Sequence, residues 1–276
     1  IVDRYQKILN GEFEGGLLTG WPSVDRLQRG FERGALVLVA GRPSMGKSTL
    51  LWNLARKFLE KGERVGVFSC EMPAVDVATN LCASVARVTG TGIREAKLNP
   101  VEQDRMSAAA EWLASRPFHV YDASGLNTSS MRGLARSRSK QLGGFRVVFV
   151  DYLQLLESGE THHSNRAEEI GAISRRLKAL AKELGTTVVA AAQLNRKCEE
   201  RQDKRPMISD LRGSGEMEQD ADAVWLLHRE SYYSKTGEDD GECEVNVAKN
   251  RNGTTGTVTL SYDRARFRFD DPAEAM

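Results

Sequence analysis

The sequence lacks the features that mark membrane proteins, disulfide-rich domains and zinc modules. Its longest purely apolar runs, residues 35–40 and 188–192, fall far short of the about 20 residues that a membrane-spanning helix needs. It has only four cysteines, and their spacing fits neither a C-x-x-C redox pair nor a zinc site. We therefore expect reduced thiols in a cytosolic protein, with no membrane partner.

Neither sign of charge is in excess. The 39 Lys and Arg residues nearly balance the 38 Asp and Glu residues, which gives a net charge of +1. A positive field over the whole protein is therefore absent, and any nucleic acid must be held by local basic patches. The hydrophobic fraction of 40% is that of a folded globular protein and argues against a largely disordered chain.

Short apolar runs alternate with helical patterns along most of the chain. Strands are predicted at residues 35–40, 65–69, 118–121, 147–150, 187–192 and 223–228. Helices are predicted at about 47–61, 73–89, 100–115, 128–142 and 166–184. This alternation indicates an α/β fold with a mostly parallel, twisted sheet and helices on both faces. Residues 242–249 and 257–262 alternate apolar and polar side chains around a turn signal, which predicts an antiparallel hairpin at the C-terminal edge of the sheet.

Residues 41–48 have the pattern G-x-x-x-x-G-K-S of a phosphate-binding loop. The segment follows a predicted strand and precedes a predicted helix, which is the required context and disfavours a chance match. The glycines let backbone N–H groups approach phosphate oxygens, and the helix N-terminus adds the positive end of a dipole. Lys47 would contact the β- and γ-phosphates, and the Ser48 hydroxyl would bind Mg²⁺. The predicted ligands of ATP and Mg²⁺ in this loop are Gly41, Ser44, Gly46, Lys47, Ser48 and Thr49.

Three polar side chains follow predicted strands, where the ligand crevice of an open α/β sheet lies. Asp151 is the predicted carboxylate of the Mg²⁺ site. Glu71 could be the general base that orients water, or it could instead cap the helix that starts near Pro73. Gln193 could sense the γ-phosphate, or it could make an ordinary hydrogen bond at the end of its strand.

Two segments carry basic residues that could follow a nucleic-acid backbone. Residues 209–222 are charged and rich in glycine, and such a loop can present a guanidinium and bare N–H groups to phosphate, although composition alone favours an ordinary surface loop. Its candidate DNA contacts are Arg212, Gly213, Ser214 and Gly215. The helix at 128–142 has a basic stripe, which is either an electrostatic track along a channel or a solvated face. The stripe consists of Arg132, Arg136 and Lys140.

Lys249 and Arg251 end an alternating strand immediately before a turn. Because they are two residues apart, they are expected to project to the same side of the strand. In trans, the pair could stabilise the charge that develops on a neighbour's nucleotide. The alternative is a pair of solvated charges that protects a sheet edge from unwanted pairing.

Together these motifs resemble the motor domain of the DnaB-type replicative helicases, which are hexameric and RecA-like. The resemblance covers residues 17–270 and rests on segments 19–25, 41–48, 68–73, 151–156, 173–184, 193–196, 203–206, 209–222 and 249–258. It implies a RecA-like P-loop NTPase core and a homo-hexameric ATP hydrolase. Such a motor moves 5′→3′ on single-stranded DNA and unwinds duplex at the replication fork. The domains expected on this basis are a linker helix end and linker (1–16), the ATPase motor (17–271) and a tail (272–276).

The resemblance also implies a role for each matching residue. The implied catalytic set is Glu71 as base, Lys47, Gln193 as sensor, and Lys249 with Arg251 acting in trans. Ser48 and Asp151 are implied at the metal, and Arg212, Gly213 and Gly215 at the DNA backbone. The family usually has Glu after the loop Arg, where this chain has Gly213, so the role of that Glu is not carried over.

The family resembled also has an N-terminal helical domain that stabilises the ring and recruits primase. This chain is expected to hold at most the end of its connecting helix, in residues 1–10. Primase and helicase-loader binding are therefore expected only through regions absent from this chain. The resemblance places the protein in the cytoplasm of a bacterial or phage-infected cell.

Two other functions use the same nucleotide chemistry. A RecA- or RadA-type recombinase would form an open filament and pair homologous strands. A nucleotide-switched scaffold would hydrolyse ATP slowly and without DNA. The combination of Glu71, Asp151, Gln193 and Arg251 argues against a scaffold, which does not need these residues.

Overall fold

The computed structural model describes residues 16–122, 127–156, 166–211, 214–234 and 239–274, without the side chains of Lys140, Leu142 and Ser214. The predictions for residues 1–15, Arg212 and Gly213 lie outside the described residues. None of the helices within these ranges is both long and apolar enough to cross a membrane.

The described residues form one mixed sheet of nine strands in the order β3-β2-β4-β5-β1-β6-β7-β8-β9. The first six strands of that order run parallel, whereas β7, β8 and β9 are antiparallel additions at one edge. The parallel strands are β1 (Leu36–Gly41), β2 (Val65–Ser69), β3 (Phe118–Tyr121), β4 (Val147–Asp151), β5 (Thr187–Gln193) and β6 (Ala223–His228). The antiparallel strands are β7 (Glu242–Asn250), β8 (Gly256–Asp263) and β9 (Arg268–Asp270). The predicted fold class and C-terminal hairpin are confirmed.

Helices cover both faces of the sheet. Because side chains alternate along a strand, Val37 and Val39 of β1 pack into one core while Leu36 and Leu38 pack into the other. The helices are α1 (Pro22–Gln28), α2 (Lys47–Glu60), α3 (Ala74–Ala86), α4 (Gly90–Arg94), α5 (Pro100–Ala114), α6 (Thr128–Leu142), α7 (Arg166–Leu184), α8 (Ser214–Asp220) and α9 (Glu230–Tyr233). Helices α2, α3 and α5 contribute to the first core, and α6, α7 and α8 to the second.

Two segments differ from the prediction. The helix expected at 73–89 ends at Ala86, because Arg87 takes a left-handed conformation and donates its N–H to Ala83 O; α4 begins after a new cap at Thr89. The second half of the segment 209–222, for which an ordinary surface loop was favoured on composition, is the helix α8. Met217 anchors this helix in the core, and the Glu216 carboxylate pairs with Arg175 of α7 at 2.6 Å.

The turn before α1 depends on one carboxylate. Asp25 Oδ1 accepts hydrogen bonds from the N–H and hydroxyl of Thr19, at 2.8 and 2.9 Å, and Oδ2 accepts from Gly20 N at 3.0 Å. Asp25→Ala removes all three hydrogen bonds and leaves the N–H and hydroxyl donors of the buried Thr19 unsatisfied. We expect the free energy of unfolding to fall by about 1.5–3 kcal/mol. Urea denaturation should show a lower midpoint with an unchanged slope. The exposed Asp104→Ala is the control, and an equal loss in both variants would contradict the interpretation.

Candidate functional site

The loop between β1 and α2 has the geometry of a phosphate cradle. Strand β1 ends at Gly41 and helix α2 begins at Lys47, so the N–H groups of the first turn of α2 have no partner within the helix. The loop requires left-handed backbone at Ser44 (φ 65°) and Gly46 (φ 90°). A Cβ at Gly46 would also lie 3.2 Å from the rings of Tyr262 and Phe269, so glycine is needed there for conformation and for space.

Lys47 lies inside this loop. Its Nζ donates a hydrogen bond to the carbonyl of Arg42 at 2.9 Å, which holds the ammonium at the centre of the cradle. Burial lowers the pKa of Lys47 to about 8, although the nearby carboxylates of Asp151 and Glu71 act in the opposite direction. A poorly hydrated cation held by its own loop is well suited to bind a phosphate oxygen.

The sheet register brings the predicted polar residues together. Asp151 is opposite Ser69, and Gln193 is opposite Gly41, so four parallel strands end at one crevice. Cys70 N also donates to Asp151 O at 2.7 Å, which fixes the turn that carries Glu71. A cavity of about 450 Å³ lies there, and its lining includes Ser44, Gly46, Lys47, Ser48, Thr49, Glu71, Asp151, Tyr152, Gln193, Tyr262 and Arg264.

Asp151 fits a cation site. Its side chain is buried, and neither carboxylate oxygen has a hydrogen-bond partner of standard geometry among the described residues, although the Ser48 hydroxyl is near enough to lower its pKa. Burial raises the pKa of Asp151 to about 6, while the adjacent Ser48 hydroxyl lowers it, Glu71 raises it further and Lys47 lowers it. Two orphaned carboxylate oxygens beside a serine hydroxyl form the oxygen-rich, hard donor set that Mg²⁺ prefers.

Asp151→Asn is expected to stabilise the metal-free protein at neutral pH. Because the folded-state pKa lies above the ordinary value of 3.8, the ionised carboxylate destabilises the fold, and stability falls as the pH rises from about 4 to about 6. The neutral amide avoids this penalty, so the variant should gain about 1–3 kcal/mol at pH 7 and little at pH 4. Chemical denaturation in EDTA at both pH values measures this. A variant that is less stable than the wild type at pH 7 would contradict the orphaned-carboxylate interpretation.

Glu71 lines the cavity from the bend after β2. The alternative role as the cap of helix α3 is wrong, because Ala74 N donates to Asp122 Oδ2 at 2.8 Å instead. The side chain of Glu71 is exposed and faces the same cavity as Lys47 and Asp151. A carboxylate in this position can accept a proton from a water molecule in the cavity.

Gln193 offers its amide to the cavity. Its backbone is paired with Gln154: Gln193 N donates to Gln154 Oε1 at 3.1 Å, and Gln154 Nε2 donates to Gln193 O at 3.2 Å. Within the described ranges, the Gln193 side-chain amide makes no hydrogen bond of its own. The hydrogen bonds at the end of β5 are therefore made by the backbone of Gln193. Its side-chain amide remains available to a ligand.

Several residues of the cavity region were missed from the sequence, among them Tyr262, Arg264 and Arg229. Tyr262, at the end of β8, lines the cavity and stacks on Phe269 with ring centroids 4.4 Å apart. The buried Arg229 donates to Ser44 O at 3.3 Å and to Asp239 Oδ2 at 2.5 Å, and its guanidinium lies 4.8 Å from the Tyr262 ring. The alternation in β8 pointed to Tyr262 as an inward-facing residue, but no local pattern links Arg229 to a loop 185 residues earlier.

Lys249 and Arg251 lie outside the lining of the cavity and contact the C-terminal end of α8. Lys249 Nζ donates to Glu218 O, and Arg251 Nη2 donates to Gln219 O at 2.6 Å. Cations are favoured at the carbonyl end of a helix. Most of β7 is paired with β6 on one side and β8 on the other, but the pairing with β8 ends at Val247; Lys249 is opposite β6 alone and Arg251 follows the end of the strand.

Two of the candidate DNA contacts, Ser214 and Gly215, belong to the described residues and do not line the cavity. Ser214 and Gly215 form the start of α8, and Gly215 is exposed. On the basic helix α6, both Arg132 and Arg136 pair with the Glu183 carboxylate, the former at 2.7 Å. This pairing favours the interpretation of that stripe as a solvated face.

The chain matches the family model described as the DnaB-like helicase C terminal domain over residues 16–271. It is 39% identical over 255 residues to the replicative DNA helicase DnaB of Geobacillus stearothermophilus and 40% identical over 276 residues to that of Haemophilus influenzae. These alignments cover 92% and 99% of the chain but only 56% and 59% of the relatives. The chain thus spans little more than half the length of these two relatives.

Solved structures show the same similarity in three dimensions. One of them, described as an ATPase domain, superposes with a TM-score of 0.90 and 33% identity, covering 98% of this chain and 96% of that domain. A DnaB-like replicative helicase, described with its interactions with primase, superposes with a TM-score of 0.91 and 33% identity over 98% of this chain and 65% of the other. The chain therefore belongs to the family of DnaB-like helicase C-terminal domains.

Proposed function

We propose that this chain is the ATP-driven motor of a hexameric replicative DNA helicase that moves 5′→3′ on single-stranded DNA and unwinds duplex. The observation that carries the proposal is the cavity that combines the phosphate loop with Asp151, Glu71 and Gln193. A simple nucleotide-binding module needs the loop alone, whereas hydrolysis also needs a base and a metal carboxylate. The relatives named above are replicative helicases and do not favour a recombinase or a scaffold.

The residues present fit ATP and Mg²⁺. The loop N–H groups and Lys47 would hold the phosphates, and the Ser48 hydroxyl and the orphaned oxygens of Asp151 would hold the metal. Bound Mg²⁺ supplies positive charge that offsets the charge developing on the phosphates. Glu71 would orient the attacking water and accept its proton. Lys47 would stabilise the transferring phosphoryl group, and the Gln193 amide would respond to its loss.

The proposed basic pair, Lys249 and Arg251, does not line the cavity of its own protomer. We therefore place them on a neighbour's nucleotide in a ring of identical subunits. To reach it, the two cations would have to exchange their contacts with Glu218 O and Gln219 O of α8. The transition state would then be fully stabilised only in the assembled ring.

The proposed DNA contacts lie in the segment that precedes α8 and in the first residues of that helix. Arg212, Gly213, Ser214 and Gly215 would contact the sugar-phosphate backbone, so binding would tolerate any sequence. Removing one such contact should change the slope of log affinity against log salt by about 0.7. Primase and loader binding, proposed only through regions outside this chain, would add to this motor in a bacterial cytoplasm.

The test is the ATPase rate with and without single-stranded DNA, on protein sized by light scattering. Strong stimulation by DNA in a hexameric species, followed by unwinding of a substrate with a 5′ tail, is expected. A hexamer whose slow turnover ignores DNA would favour the nucleotide-switched scaffold and contradict the proposal. Open helical filaments in electron micrographs would instead support a recombinase.

A further inference from the structure

A second cavity, of about 530 Å³, adjoins the phosphate-loop cavity. Tyr152 and Gln193 line both cavities and form their common wall. Gln154, which is hydrogen-bonded to the backbone of Gln193, lines the second cavity only. A group that leaves the γ-phosphate position past Gln193 would therefore enter this space.

The lining of the second cavity is rich in hydrogen-bond donors. It contains three arginines and three side-chain amides, and none of its described lining residues is acidic. The arginines are Arg42, Arg166 and Arg196, and the amides are Gln154, Gln193 and Asn195. Guanidinium and amide groups in this number are the donor set that recognises a tetrahedral oxyanion.

Arg42 is held in place from behind. It is 8% exposed, its Nη1 donates to Leu194 O at 3.0 Å, and its Nη2 pairs with Glu199 Oε2 at 2.9 Å. Tyr233 donates its hydroxyl to the other oxygen of Glu199 at 3.2 Å. The buried Nε of Arg42 has no hydrogen-bond partner among the described residues. A buried donor without a partner is unfavourable, and the guanidinium-bearing residue Arg42 lines the second cavity.

The charge around the cavity is not balanced. Arg42 pairs with Glu199, and Arg166 pairs with Glu169. The exposed Arg196 forms no ion pair with any residue in the described ranges. Arg196 and Arg42 both act electrostatically on the single carboxylate of Glu199. Positive charge is therefore in excess around the cavity. Arg196 is also the first residue of a 3₁₀ helix that follows the Gln193 segment.

We propose that this second cavity binds a phosphate group, with Arg42 and Arg196 as its principal donors. Because the two cavities share Tyr152 and Gln193, we expect the occupant to be orthophosphate released from the first cavity. This choice of occupant rests on the proposed function. No new bond forms in this step: orthophosphate passes from Lys47 to the arginines of the second cavity. A phosphate of the DNA backbone has the same chemistry and is the other source that the experiment distinguishes.

The first test measures direct binding of inorganic phosphate to the chain in the presence of MgADP. Binding is detected by line broadening in ³¹P NMR. Arg196→Ala should weaken phosphate binding by about tenfold, as expected for the loss of one charge-assisted hydrogen bond. Lys197→Ala is the matched control, because Lys197 is an exposed cation of the same 3₁₀ helix but does not line the cavity. An unchanged phosphate affinity in Arg196→Ala, or an equal loss in Lys197→Ala, would overturn the proposal.

The source of the phosphate is read from two further measurements. If orthophosphate is the occupant, Arg196→Ala should alter the delay between ATP cleavage and phosphate release. Cleavage is measured by rapid quench, and release is measured with a fluorescent phosphate sensor. If the occupant is DNA, the delay stays unchanged and the salt slope of single-stranded DNA binding changes by about 0.7. Loss of all ATP cleavage in the wild type would contradict the proposed function alone, since the binding of phosphate itself does not require turnover.

Discussion

Glu71→Gln is expected to bind ATP and single-stranded DNA normally and to lose about 10²–10⁴-fold in turnover, the usual contribution of a general base. The amide has nearly the same shape as the carboxylate but cannot accept the proton of the attacking water. Glu71 is exposed and outside both cores, so the substitution should not affect folding. Its position on the cavity with Lys47 and Asp151 is the reason for the size of the effect.

The measurement combines single-turnover ATP cleavage with titration of a fluorescent ATP analogue. Glu111→Gln is the matched control, because Glu111 is an exposed carboxylate on α5 and does not line the cavity. The control should cleave ATP at the wild-type rate. If Glu71→Gln did so as well, Glu71 would have no part in the chemistry.

The layout of the cavity could be predicted from the sequence because of one topological fact. In a parallel sheet, polar residues that follow apolar strands meet at the same edge, whatever their separation along the chain. Asp151 and Gln193 end their strands, and Glu71 follows its strand by two residues, so strand prediction alone placed them near the phosphate loop. The alternation of strands and helices likewise predicted the sheet and the helices on its faces.

The remaining features depend on packing that no local pattern encodes. Helix α8 has seven residues with Met217 as its only buried apolar side chain among those described, which is too little for a helical period to be recognised. The link from Arg42 to Glu199 joins residues 157 positions apart. The burial of Asp151 raises its pKa. This burial comes from β2 and β5, which flank its strand, and not from its neighbours in the sequence.

The contacts of Lys249 and Arg251 likewise depend on packing between distant segments. An alternating strand with terminal charges is typical of a sheet edge, whereas β7 lies between β6 and β8 and only its charged end extends past the last β8 pair, at Val247. The contacts of both cations with the carbonyl end of α8 connect them to the helix whose first turn carries Ser214 and Gly215. The two cations therefore contact the helix that begins with part of the proposed DNA contact of their own protomer.

Arg251→Ala is expected to reduce DNA-stimulated ATP turnover by about 10³–10⁵-fold, the usual contribution of an arginine finger, without weakening nucleotide binding. The reason is that each protomer keeps its own Lys47, Asp151 and Glu71 but no longer supplies its neighbour's cavity with a guanidinium. Arg251→Lys should restore little activity, because an ammonium cannot make two parallel contacts with phosphate oxygens.

Mixed rings test whether Arg251 acts in trans. A protomer with Arg251→Ala keeps an intact cavity, and a protomer with Glu71→Gln keeps an intact finger. Each variant alone should be inactive, whereas rings assembled from both should recover part of the turnover, since some interfaces then combine an intact cavity with an intact finger. If Arg251 acted within its own protomer, no interface in the mixture would gain a complete site and mixing would restore nothing. Full activity of Arg251→Ala alone would exclude Arg251 from the reaction, and its contacts with Gln219 O and Asp222 would then be purely structural.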